Sequence, residues 1–133
     1  MSVFTPAEIA YLRSQRLGRL ATVGPSGQPH VVPVGFRYNA DQDTVDIGGH
    51  GFATSKKFRD AQANPRVAFV VDDLASVSPW HPRGIEIRGP AEVVASGGEA
   101  FGRGYDPAIL RVRPRRIVSW GLEGERRRAT VRP

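Results

Sequence analysis

Pro29-His30-Val31-Val32-Pro33-Val34-Gly35-Phe36-Arg37-Tyr38 alternates along its whole length. His30, Val32, Val34, Phe36 and Tyr38 make one face, and Val31, Pro33, Gly35 and Arg37 make the other, which is the period of a β-strand. Two further strand-like runs flank it: LGRLATV (17–23) before the turn GPSGQ, and TVDIGG (44–49) after the turn NADQD. Together they predict a meander of three antiparallel strands. Pro33 cannot donate a ladder hydrogen bond, so it marks a sheet edge or a bulge, and Gly35 permits another group to approach closely. A barrel corner and a flat ligand lying against the strand both remain open readings of that pair.

Outward from this meander, the N-terminal TPAEIAYLRSQR predicts a short helix. Thr5 is the N-cap, Pro6 the first helical residue and Glu8 the partner in a capping box, with Ile9 and Leu12 facing the core. ATSKKFRDAQAN (53–64) predicts a second helix, capped by Thr54 or Ser55 and stopped before Pro65. PRVAFVVDD (65–73) returns to strand, and RGIEIRGPAEVV (83–94) reads as a long strand broken near Gly89-Pro90. GGEAFGRGYDPAIL reads as loop with at most one helical turn. RVRPRRIVSWGL (111–122) reads as one final strand, and residues 123–133 as a frayed, flexible basic tail. About six strands with two or three short helices predict a mainly β, antiparallel barrel in a single domain spanning 1–122, not a Rossmann sheet.

Composition removes several chemistries. The 133 residues contain no cysteine, which excludes disulfides, thiol catalysis and cysteine-ligated metals. The three histidines, His30, His50 and His81, lack metal-ligand spacing, so no metal is expected. No run reaches the ~18 apolar residues of a membrane span, and the N-terminus lacks a signal-peptide pattern, so the default expectation is a cytoplasmic protein. GGHGFATSKK does not meet the spacing of a Walker loop, no G-x-S-x-G elbow is present, and Asp72, Asp73 and Glu86 have no spacing that implies acid–base work. No catalytic side chain is assigned.

The formal net charge is +6. Its excess sits in Arg111, Arg113, Arg115 and Arg116 and in the tail, which raises the possibility of a polyanion-binding or nucleic-acid-binding module. Without a recognition helix or paired strand aromatics, that reading ranks below the others. The only lysines are the adjacent Lys56 and Lys57, in Ser55-Lys56-Lys57-Phe58-Arg59-Asp60. The start of a helix already carries partial positive charge and free N–H groups, so cations there are unfavourable unless an anion joins them. A phosphate would meet the amides, the hydroxyls of Thr54 and Ser55, and both ammonium groups. The alternative is that both lysines are simply solvated.

In order, the strand PHVVPVGF, the strand ending DIGG, the helix opening SKK, the turn NPRVAFVVDD, the strand GIEIRGPAEV and the closing RIVSWGL resemble the pyridoxamine 5′-phosphate oxidase-like split β-barrel superfamily. More narrowly, they resemble its deazaflavin (F420)-dependent branch. The resemblance implies a Greek-key-like split barrel and a homodimer with cofactor clefts at the subunit interface. It places the cofactor phosphate on Ser55, Lys56 and Lys57, where FMN-binding relatives carry Ser-Arg-Lys. It places the tricyclic ring along His30, Val31, Val32, Pro33 and Val34, with Trp80 and Arg83 reaching the cleft from the partner chain. The implied chemistry is hydride transfer between coenzyme F420 and an unsaturated small organic substrate, with FMN as the alternative cofactor. The arginine-rich end of the chain departs from the vitamin-salvaging oxidases, which argues against pyridoxamine phosphate oxidation.

Overall fold

A computed structural model describes residues 1–124 and 126–133. The chain opens with helix α1 (Pro6–Ser14), whose Thr5 and Glu8 form the expected reciprocal capping box. Glu8 does more than cap: it is buried, and its carboxylate also accepts from the Ser119 hydroxyl and pairs with Arg127, both at 2.6 Å. Tyr11 and Leu12 enter the core, whereas Ile9 packs only at its margin.

Strands β1 (Leu17–Val23), β2 (Pro29–Asn39) and β3 (Thr44–Gly48) form the predicted meander. A 3-10 turn over Phe52–Thr54 then leads into α2 (Lys56–Ala63), so the second helical segment is two short elements rather than one. Strand β4 (Arg66–Ser76) returns beside β1 and pairs along its length with β5 (His81–Val94). A second 3-10 turn at Gly98–Phe101 precedes β6 (Ile109–Val112), which lies between β3 and the end of β5. Strands β7 (Arg116–Trp120) and β8 (Arg127–Thr130) extend the sheet beyond β5.

Six of the strands close on themselves in the order β4-β1-β2-β3-β6-β5, because β5 also pairs with β4. The mainly β, antiparallel barrel read from the alternation is therefore the observed architecture. Leu20, Phe69, Val71, Ile85, Ile87, Leu110 and Ile117 fill the barrel with essentially no exposure. Burying a side chain of this kind contributes about 1.5–3 kcal/mol.

Three expectations are corrected. First, β5 is continuous through Gly89-Pro90; the break is in its neighbours. Gly84–Arg88 pairs with β7 and Ala91–Val94 with β6, and the chain crosses from one to the other through Arg113-Pro114-Arg115. Backbone bonds from Arg113 to Pro90 (3.0 Å) and from Arg115 to Arg88 (2.8 Å) hold that crossing against β5. Second, RVRPRRIVSWGL is accordingly not one strand: it joins the end of β6 to β7, with the buried Pro114 where no ladder donor is needed. Third, the tail read as frayed contains β8, joined to β7 over Arg127–Thr130 and tied to α1 through Arg127.

Gly89 is what lets the crossing approach. A Cβ there would lie 1.9 Å from the Arg113 carbonyl oxygen, a backbone atom that cannot rotate away. Replacing Gly89 with alanine is expected to destabilise the fold by about 1–3 kcal/mol. Thermal unfolding should show a Tm lower by several degrees; an unchanged Tm would mean that the crossing yields without strain.

Candidate functional site

The start of α2 is built by local sequence. Ser55 has extended backbone angles and is the N-cap; its Oγ accepts from the Phe58 N–H at 3.4 Å. Thr54 instead donates to the Gly51 carbonyl, so it is not the cap. The N–H groups of Lys56 and Lys57 have no acceptor among the described residues. Phe52 and Phe58 pack edge-to-face beneath this turn, with ring centroids 5.3 Å apart, and anchor it to the core.

The two lysines diverge. Lys56 turns along the helix to Asp60, its Nζ lying 2.9 and 3.2 Å from the two carboxylate oxygens. Asp60 is buried and also accepts from the Thr22 hydroxyl at 3.3 Å. The Lys56 hydrogen bond is the main cause holding the Asp60 carboxyl below its usual range, with Thr22 and the His30 imidazole adding to it. Lys57 lies with Nζ 5.6 Å from the centre of the Phe52 ring and has no ion-pair or hydrogen-bond partner among the described residues. A third cation stands at the same end, the exposed Arg59, which donates to the Thr54 carbonyl at 3.0 Å.

Helix α2 packs against β1, where Thr22 meets Asp60, and the N-terminal half of β2 lies beside β1. His30 is opposite Thr22 in the β1–β2 ladder, and its Nδ1 is buried without a hydrogen-bond partner among the described residues. A buried polar atom left unpaired is costly unless something else satisfies it. Val31 and Pro33 face outward and are exposed, Val32 is half-buried on the inner face with His30, and Val34 belongs to the core. Pairing with β3 begins only at Gly35, so Pro29–Val34 has no ladder partner on that side, and Pro33 costs no hydrogen bond there.

Gly24 lies beside the same cluster. A Cβ there would sit 2.8 Å from the Asp60 Oδ1 and 3.4 Å from the Lys56 Nζ. The space is reserved for the ion pair. The unbonded amides and the Lys57 ammonium, which has no partner among the described residues, form a donor set that fits a phosphate.

Trp80 and Arg83 are not part of this cluster within one chain. They lie at and beside the β4–β5 hairpin tip, whereas α2 leads into the opposite end of β4, whose 11 residues span about 35 Å. Trp80 is 67% exposed. Arg83 is engaged by a two-point pair with Asp73 at 2.7 and 3.0 Å and lies over the Tyr11 ring.

Two features escaped the sequence reading. Asp60 showed no signal beyond its i, i+4 spacing from Lys56. The stretch read as loop after β5 stacks Phe101 on Tyr105 and brings Tyr105 against His50, with centroid separations of 5.3 and 4.4 Å. This wall lies on the paired Gly35 and Gly48: added Cβ atoms would stand 3.9 Å from the Tyr105 hydroxyl and 3.0 Å from the Phe101 ring. Gly35 is two residues beyond Pro33 on the same outward face.

A cavity of about 740 Å³ opens on the outer sheet surface, where Arg66, Arg88, Arg115 and Arg116 surround Ala68 and Pro90, and its lining reaches Ala21, Val23 and Pro29, so it adjoins the outer face of β2 beside Val31. Many arginines are already balanced: Arg19 by Asp72, Arg88 by Glu86, Arg111 by Asp46, Arg113 by Glu92 and Arg127 by Glu8. That pairing removes much of the charge that favoured a nucleic-acid surface. No group of three or more metal-ligating side chains occurs among the described residues. No helix there is long and apolar enough to cross a membrane.

The depressed Asp60 fixes a sign. Its ionised form is favoured by folding, so its contribution is full above the unfolded carboxyl pKa of about 3.9 and is lost as pH falls through the lower folded value. Urea unfolding across pH 2–6 is expected to show stability falling below about pH 4, with a smaller fall for Asp60→Asn. Parallel curves for both proteins would remove the pair from the account.

Comparison with known proteins places the fold in a family. The family model for pyridoxamine 5′-phosphate oxidase matches residues 4–121. A Streptomyces rimosus subsp. rimosus protein, the 5a,11a-dehydrotetracycline/5a,11a-dehydrooxytetracycline reductase, is 45% identical over 122 residues, covering 92% of this chain and 86% of its own. Among solved structures, an F420 reductase superposes with a TM-score of 0.65 at 27% identity, covering 86% of this chain and 98% of that one. A conserved hypothetical protein of Mycobacterium tuberculosis superposes with a TM-score of 0.70 at 25% identity, covering 90% and 86%. The chain belongs to the pyridoxamine 5′-phosphate oxidase family and is an oxidoreductase built on a split β-barrel.

Proposed function

We propose that this oxidoreductase is a deazaflavin (F420)-dependent reductase acting as a homodimer on a planar, conjugated small molecule. The observation that carries the reading is the α2 start, where Lys57 and two backbone amides lack partners among the described residues, packed against β1 with the N-terminal half of β2 beside it. In this reading Ser55 shapes the turn, Lys57 and the amides hold the phosphate, and Lys56 assists from its pair with Asp60. Val31 and Pro33 support the ring from the outer face of β2, with His30, Val32 and Val34 contributing from the strand behind. When bound, the deazaflavin supplies a hydride for addition to a polarised double bond. The relative named as a dehydrotetracycline reductase supports a polycyclic conjugated ketone as the substrate class, and the F420 reductase among the solved structures supports the cofactor.

The chain's own residues bind and orient. The Phe101–Tyr105–His50 wall borders the outer face of β2 beyond Pro33, where a flat substrate would find an aromatic surface. A second subunit accounts for the sheet face left open in one chain, where Val31 stays 64% exposed. It also gives Trp80 and Arg83 a route to the cleft that their position within one chain does not offer.

FMN is the second reading, because it too presents a phosphate and a tricyclic ring. Titration of purified protein with each cofactor, followed by fluorescence, separates the two. The deazaflavin is expected to bind more tightly, and Lys57→Ala to weaken it by about 1.5–3 kcal/mol. Tighter FMN binding would move the protein to flavin chemistry, and an unchanged Lys57→Ala affinity would remove that residue from the phosphate contact.

A further inference from the structure

Lys56 and Lys57 are adjacent cations, yet the structure treats them differently. Lys56 is matched by the buried Asp60 carboxylate, and Asp60 is held in turn by Thr22 and closed in by Gly24. That carboxylate belongs to the binding end of the helix. An anion oxygen held by the Lys56 ammonium would lie within about 6 Å of Asp60, since each would contact the same nitrogen at near 2.9 Å.

We propose that Asp60 tunes the charge accepted at the α2 start, cutting the advantage that a doubly charged phosphomonoester would otherwise hold there over a singly charged phosphodiester. The inference rests on the reading of this helix start as the phosphate subsite. Its physical basis is that the Coulomb energy scales with the charge of the ligand. The Asp60 carboxylate therefore opposes a dianion about twice as strongly as a monoanion at the same distance. A phosphomonoester carries about −1.5 to −2 at pH 7, whereas a diester has no second ionisation. The deazaflavin coenzyme joins its ring to its acidic tail through a phosphodiester, and FMN ends in a monoester. Asp60 is thus a specificity-determining residue, acting on the phosphate rather than on rings of similar shape.

Four probes isolate the phosphate increment: FMN against riboflavin, and the deazaflavin coenzyme against its phosphate-free ring core. Dissociation constants are measured for wild type, Asp60→Asn and Lys56→Gln, with thermal unfolding confirming that each variant folds. Asp60→Asn is expected to raise the FMN-to-riboflavin increment about tenfold more than the coenzyme-to-core increment. Lys56→Gln, which leaves Asp60 unbalanced, should move the comparison in the opposite direction. A purely structural role would shift both increments alike, and equal shifts, or none, would overturn the proposal. Should Asp60→Asn fail to fold, the double variant Lys56→Gln/Asp60→Asn against Lys56→Gln isolates the same carboxylate, and FMN is expected to regain more than the coenzyme; equal changes would overturn the proposal. A wild type that binds the rings with no phosphate increment would overturn the subsite itself, an outcome distinct from equal shifts.

Discussion

Closure of the sheet through the β4–β5 ladder is the constraint from which the rest of the molecule follows. The two strands pair from Arg66 opposite Pro90 to Ser76 opposite His81, and their inward side chains, Phe69, Val71, Ile85 and Ile87, are fully buried. Because β5 is longer than either neighbour on its other edge, β6 and β7 share that edge in succession. The barrel is thereby closed at one end and extended into a flanking sheet at the other. Gly89 and Pro114 stand at the exchange, one removing a side chain and the other removing a donor.

A barrel of this kind leaves α2 the task of covering an end, and the Lys56–Asp60–Thr22 contacts tie it to β1. The same contacts govern the electrostatics of the helix start. One lysine is neutralised internally and the other has no partner among the described residues, so the helix start is less cationic than two adjacent lysines imply. Family membership and the reductase relative make the protein an oxidoreductase. On the proposed reading, hydride transfer asks the chain for position rather than for an acid–base pair.

The meander, both helices and the strands β4 and β5 were legible because period-two alternation and helix capping are local properties. Val34 and Phe36 face the core as their parity requires, and Thr5 and Glu8 cap as their spacing requires. The neighbour exchange along β5 was not legible, because Gly89-Pro90 looks identical whether a strand stops there or its partners do. The tail was misread for a related reason: its arginines resemble a solvated run until Glu8, more than a hundred residues away, receives Arg127. In the candidate site, Ser55 and the lysines could be found from the helix start alone. Asp60 could not, since its burial depends on β1, and the Phe101–Tyr105–His50 wall depends on a loop folding back over two glycines.

The most direct test of the central claim is a diffraction structure of the protein with the deazaflavin coenzyme bound. The account predicts the phosphate within hydrogen-bonding reach of the Lys57 ammonium and the α2 amides, with the ring against Val31 and Pro33 in a cleft completed by a second subunit. A phosphate seated instead among Arg66, Arg88, Arg115 and Arg116, with the α2 start empty, would contradict it.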